Sequence, residues 1–166
     1  MNDALEKLIQ ALREELQQYG EMLARLDQQQ ECVMTRRSEE LLEATGGIEV
    51  QSQAMHSSRH SRVELQAEVA RAVGLPGDAP FADIIPKLPE NYRPLVQALI
   101  QENNESLGRI HQRSRQNHIM LCRSLEMMSR LIGNLVPGSN TSPVYTDKGS
   151  VNSGTFPAHA IYQAMG

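Results

Sequence analysis

The chain has 166 residues, 40% apolar, 22% charged and only 4% aromatic, with a formal charge of −4. That length suits one domain, and the absence of tryptophan leaves the packing to Leu, Ile, Val, Ala and Met, which suits thin helical layers. The acidic balance argues against a nucleic-acid binder; no apolar run approaches the roughly 18 residues of a membrane span; and two cysteines, Cys32 and Cys122, are too few for a disulfide framework.

Residues 3–33 carry a helical pattern. Leu5, Ile9, Leu12, Leu16, Tyr19, Leu23 and Leu26 alternate four- and three-residue steps, a heptad seam with Glu, Gln, Lys and Arg on the other faces. The seam fails after Val33, where the next steps land on Arg37 and Glu40. Ser38, followed by Glu39 and Glu40, reads as a new N-cap with an acidic first turn, which places a tight turn near 34–38. The pair Gly46-Gly47 is a competing break, read as a weak point within the second helix.

The second helix is expected over 39–73, with Leu41, Leu42, Ile48, Met55, Val63, Val69 and Val73 as its seam. Its middle is poorly apolar, because Ser52, Arg59, Arg62 and Gln66 fall near the seam. Gly74 and Pro76 stop it. Residues 74–91 form a linker in which Phe81, Ile84, Ile85 and Leu88 predict one short amphipathic turn packed on the bundle. The third long helix is expected over 92–135, with Asn103, Leu107, Ile110, Ser114, Asn117 and Leu121 along its seam, continuing through Leu125, Met128, Ile132 and Leu135. It would be roughly 66 Å long, more than a compact domain of this size spans, so it overhangs its partners or pairs with another chain. Polar residues in mid-seam have two readings: a hydrated bundle centre, or a register-fixing role for Asn103, Ser114 and Asn117 of the kind a buried Asn plays in a coiled coil.

Residues 137–166 differ in composition. Asp147 and Lys148 are their only charges, yet they hold Tyr145, Phe156 and Tyr162, half the aromatics of the chain. Ordering these residues costs on the order of 30 kcal/mol, more than full burial of their few apolar side chains returns at roughly 1.5–3 kcal/mol each. The expected architecture is therefore all-α: an elongated antiparallel three-helix bundle or coiled coil over 1–136, with 137–166 as a flexible, partner-binding tail.

Enzyme chemistry is not legible. His56 and His60 share a helix face, but only Glu64 stands near as a third ligand, so neither a metal nor any other cofactor is expected. His111 and His118 read as hydrated polar residues, and Cys32 and Cys122 as small packing residues. Glu14-Glu15 and Glu39-Glu40 read as solvated or cap charges. No phosphate-cradling glycine loop occurs, and the arginines from Arg59 to Arg71 are diluted by Glu64 and Glu68. Asp3 and Glu6 interrupt any signal-peptide pattern, so a cytoplasmic protein is expected.

Three features together resemble the FlgN-type flagellar export chaperones: the leucine-seamed N-terminal helical pair, the segment Asn104-Glu-Ser-Leu107-Gly108-Arg-Ile110 on the third helix, and the tail segment Pro143-Val144-Tyr145-Thr-Asp147-Lys-Gly149. The second is similar to the family's Asn-x-x-Asn-Gly segment, with Leu107 in place of the second Asn. The third is similar to its apolar-Tyr-Gly-x-x-Gly motif, with Thr146 in place of Gly. The resemblance implies a cytoplasmic chaperone that binds hook-associated, hook–filament junction proteins, prevents their premature assembly and delivers them to the export gate. It implies cargo binding by the C-terminal part and gate contact at Val144 and Tyr145.

The residues themselves offer Leu125, Met128, Ile132 and Leu135, with Phe156, Ile161 and Tyr162 of the tail, as a surface for a cargo protein. Met127 and Met128 add adaptable packing. Against this, Leu121 and Leu125 also read as bundle core, and Ile132 and Leu135 as binding surface. The alternative function is a non-enzymatic coiled-coil adaptor or structural homodimer.

Overall fold

A computed structural model describes residues 2–135. They form helices α1 (Asn2–Thr35), α2 (Ser38–Ala72), the single turn α3 (Phe81–Ile84) running into a 3₁₀ turn (Ile85–Lys87), and α4 (Arg93–Leu135), with no strand among the described residues. The expected all-helical bundle is what the chain adopts. Residues 137–166, with the tail positions Val144, Tyr145, Phe156, Ile161 and Tyr162, lie outside the described residues. The chain divides into two units at Cys122–Arg123. The first holds α1, α2, the linker and α4 as far as Cys122; the described part of the second is the last stretch of α4, Arg123 onward.

The α1–α2 turn is tighter than a capped start. Arg36 adopts a left-handed conformation with φ 56°, which costs a non-glycine residue about 1 kcal/mol. Ser38 is the first helical residue rather than the cap; Arg37 precedes it, and no side chain caps the helix. The Arg37 guanidinium instead bonds Glu31 of α1 and Glu40 of α2, tying the two helix ends together. The helix runs through Gly46 and Gly47. At its other end, Leu75 N–H donates to Ala70 O at 2.9 Å and Gly74 N–H to Arg71 O at 3.1 Å. With Gly74 at φ 78°, this is the paired-bond helix stop that glycine permits.

The helices of the first unit pack through heptad faces that differ from the apolar stripes of the sequence. On α1 the seam Leu5, Leu8, Leu12, Glu15, Tyr19, Met22, Leu26 and Gln29 is buried, Ile9 is buried beside it, and Leu16 and Leu23 are only half-buried. On α2, Leu41, Ala44, Ile48, Gln51, Met55, Ser58, Arg62, Leu65 and Val69 recur at three- and four-residue steps, all buried or half-buried. Leu42, expected on that seam, is 77% exposed, and Val63 is exposed as well. On α4 the buried face is Val96, Leu99, Asn103, Ser106, Ile110 and Asn117, with Leu107 half-buried and Ser114 exposed.

Polar seam residues are matched across the interfaces. Gln29 donates to Thr45 Oγ1 at 3.1 Å, Gln51 to Gln18 Oε1 at 2.8 Å, and Arg62 Nε to Glu15 Oε2 at 2.9 Å. Partner numbers fall on α2 as they rise on α1, so this pair is antiparallel. On the other side, Asn103 Nδ2 donates to Leu12 O at 3.0 Å and Asn117 Nδ2 to Leu26 O at 2.7 Å. Both partners advance by two heptads, so α1 and α4 run parallel in fixed register, and α1 is the common partner of the other two. Of the mid-seam polar residues, Asn103 and Asn117 bond α1 as register-fixing residues would, whereas Ser114 is exposed.

The main core lies at the closed end of this unit. Leu5, Leu8 and Leu12 meet Val69 and Ala70 of α2, Val96 and Leu99 of α4, and Ile84 and Leu88 of the linker. The expected amphipathic turn is present: Ile84 and Leu88 are among the most deeply buried side chains. A smaller core joins Tyr19, Met22 and Leu26 to Ile110. Cys32 is a packing residue as expected, whereas Cys122 is exposed.

Candidate binding surface

Two surface features stand out, one in each unit. In the second unit, α4 ends in turns whose large apolar side chains face solvent. Leu125 is 63% exposed, Ile132 61% and Leu135 79%, and Met127, Met128 and Leu131 are similarly open. The reading of Leu125 as bundle core is therefore corrected: it belongs with Met128, Ile132 and Leu135 in one exposed strip. Leu131 was missed because it stands beside the stripe, one four-residue step beyond Met127; counting both spacings reveals a broad apolar face. Exposed apolar side chains gathered in this way mark interaction surfaces.

In the first unit, α2 and α4 both rest on α1 and leave a trench between them. Two adjoining hollows of about 100 and 350 Å³ share Tyr19, Arg59 and Leu107 as lining. The larger has an apolar floor of Met22, Leu26 and Ile110 with Ile48, Met55 and Leu107 on its walls, and His56 and His111 on its rims. The smaller is polar, with Glu15, Arg62, Asn103 and Asn104.

Glu15 anchors the polar end. Its side chain is 3% exposed and that of Arg62 15%. Besides Arg62, it accepts the Tyr19 hydroxyl at 2.7 Å. Arg62 also donates to Gln66 at 2.9 Å and stacks 5.8 Å from the Phe81 ring, while Gln66 donates to Ala79 O at 2.9 Å. One buried carboxylate thus links α1, α2 and the linker. The reading of Glu15 as a solvated charge is overturned; the signal lay in Arg62 and Gln66 falling on the α2 seam, since buried charges need a partner. Burial pushes the Tyr19 phenol above its usual range, helped by its bond to Glu15.

Among the described residues, no group of three or more His, Cys, Asp or Glu is gathered to hold a metal ion. His60 and Glu64 form an exposed pair at 3.4 Å, and Cys122 Sγ lies 3.7 Å from His118 Nε2. No helix among the described residues is long and apolar enough to cross a membrane.

The first unit is a helical bundle with a trench, and the described part of the second carries an exposed apolar strip. The family model described as FlgN protein matches residues 1–153, and the chain belongs to that family, one of flagellar export chaperones. No curated protein and no solved structure matches it.

Proposed function

We propose that the chain binds hook-associated, hook–filament junction proteins in the cytoplasm, keeps them from assembling early and delivers them to the flagellar export gate. The observation that carries this reading is the exposed strip Leu125, Met128, Ile132 and Leu135 in a chain of the FlgN family. In this reading the strip covers an aggregation-prone apolar segment of the cargo until export. An α4 strip with methionines at its centre can repack around different partners. Phe156, Ile161 and Tyr162 extend the cargo contact in this proposal, and Val144 and Tyr145 touch the gate.

Co-purification with a junction protein tests it. The full chain should retain the junction protein, and Ile132→Asp should weaken the complex by about tenfold or more. Truncation after Val136 should weaken it too; equal binding would remove the tail from cargo recognition. Tyr145→Ala should leave cargo binding intact and reduce export. No binding by the full chain would reject the proposal.

The strip's four- and three-residue spacing also favours a second reading, a homodimeric coiled coil. It predicts a sedimentation coefficient that rises with concentration and falls in Ile132→Asp without any cargo present.

A further inference from the structure

The trench of the first unit has no part in the strip on α4, yet its dimensions and charge describe an occupant. Its walls run from Ile48 to Arg62 on α2 and from Ile100 to Ser114 on α4. At 1.5 Å per residue each wall is about 21 Å long, four helical turns. The floor offers apolar contact along one half. The other half is cationic in character: Glu15 is the single carboxylate among the lining residues, and Arg62 and Tyr19 already occupy it. Arg59 is exposed on the wall shared by both hollows, and no carboxylate of the described residues stands within ion-pair distance of it. Oδ1 of Asn103, a buried lining residue, has no hydrogen-bond partner.

We propose that this trench seats one amphipathic helix of about four turns, supplied by the exported cargo, with its apolar face over Met55, Leu107 and Ile110 and a carboxylate against Arg59. The helix would stand against α1, α2 and α4 as a fourth member of the bundle, the helix-in-groove mode of recognition. Charge complementarity selects the occupant: the unneutralised cation sits where the two hollows meet, toward the polar end of the trench, so an apolar helix without an acidic residue leaves it unpaired. The proposal rests on the chaperone reading above, and its test separates the two.

The probe is a junction protein titrated against the full chain by calorimetry. Arg59→Glu should weaken binding by about tenfold or more and Arg59→Lys should stay near wild type. Ser114→Trp, which fills the trench from an exposed position, should also weaken binding and places the only tryptophan of the chain there. Far-ultraviolet circular dichroism melts should be unchanged in all three, because Arg59 and Ser114 are exposed. If Arg59→Glu and Ser114→Trp bind as wild type does while Ile132→Asp does not, the trench proposal is overturned and the chaperone reading stands. If wild type fails to bind, both fall. A concentration-dependent dimer that Arg59→Glu dissociates would assign the trench to a second copy of this chain, which also overturns it.

Discussion

Single side chains decide how the bundle tolerates polarity in its seams. Glu15 is acceptable inside because Arg62 and the Tyr19 hydroxyl supply its bonds. Removing it leaves a guanidinium without its carboxylate, which is far more costly than replacing the pair together. Glu15→Ala is expected to lower unfolding free energy by about 3 kcal/mol, measured by urea denaturation at neutral pH. Tyr19 carries a pH signature as well. Burial holds its phenol above the usual tyrosine range in the folded chain, so at high pH the unfolded state ionises first. The folded state then binds more protons than the unfolded, and stability falls as pH rises. Between about pH 10 and 12 wild type should lose stability more steeply than Tyr19→Phe; equal slopes would show that the Tyr19 proton contributes nothing.

At the scale of the helix, buried asparagines set alignment. Asn103 and Asn117 place their amides on carbonyls of α1 two heptads apart, so a slip of one turn breaks both bonds together. Replacing both by Leu should keep or raise the melting temperature and loosen the register, seen as broadened or doubled amide resonances. A single sharp set would show that alignment is fixed elsewhere. The same polar residues explain what could be read beforehand. The all-helical class was legible because leucines at helical spacing survive many interruptions, and the packed turn at Phe81–Leu88 because four apolar residues stood among prolines. The contact faces were not. On α1 the half-buried Leu16 and Leu23 of the apolar stripe stand one position from the buried Glu15 and Met22, and α4 repeats the shift at Leu107 against Ser106. A polar residue in a seam looks like a failure of the pattern until its partner on another helix is known. Glu15 and Arg62 are 47 positions apart, beyond any local period. The candidate surface was half legible: the strip on α4 followed from spacing, whereas the trench depends on two helices leaning on a third.

For the molecule as a whole, the two units differ in how firmly their backbone is held. From Val96 to Asn117 the inner face of α4 is buried, whereas between Leu125 and Leu135 only Gly133 is not exposed. Local opening follows the apolar area that covers a segment. Amides of residues 125–135 should therefore exchange with deuterium at least about tenfold faster than those of 96–117, and a bound junction protein should slow the former. Uniform protection along α4 without cargo would contradict this.

The central place of α1 also bears on the order in which the protein can be made. Its contacts with α2 close a local hairpin, available once the first two helices have left the ribosome. Its contacts with α4 join positions 91 apart, a long separation for a helical protein and one whose loop must close before any contact rewards it. During synthesis the part of α1 that packs on α4 therefore waits, uncovered, until the fourth helix emerges. The nascent chaperone passes through a stage at which it, too, presents an apolar helix that needs cover.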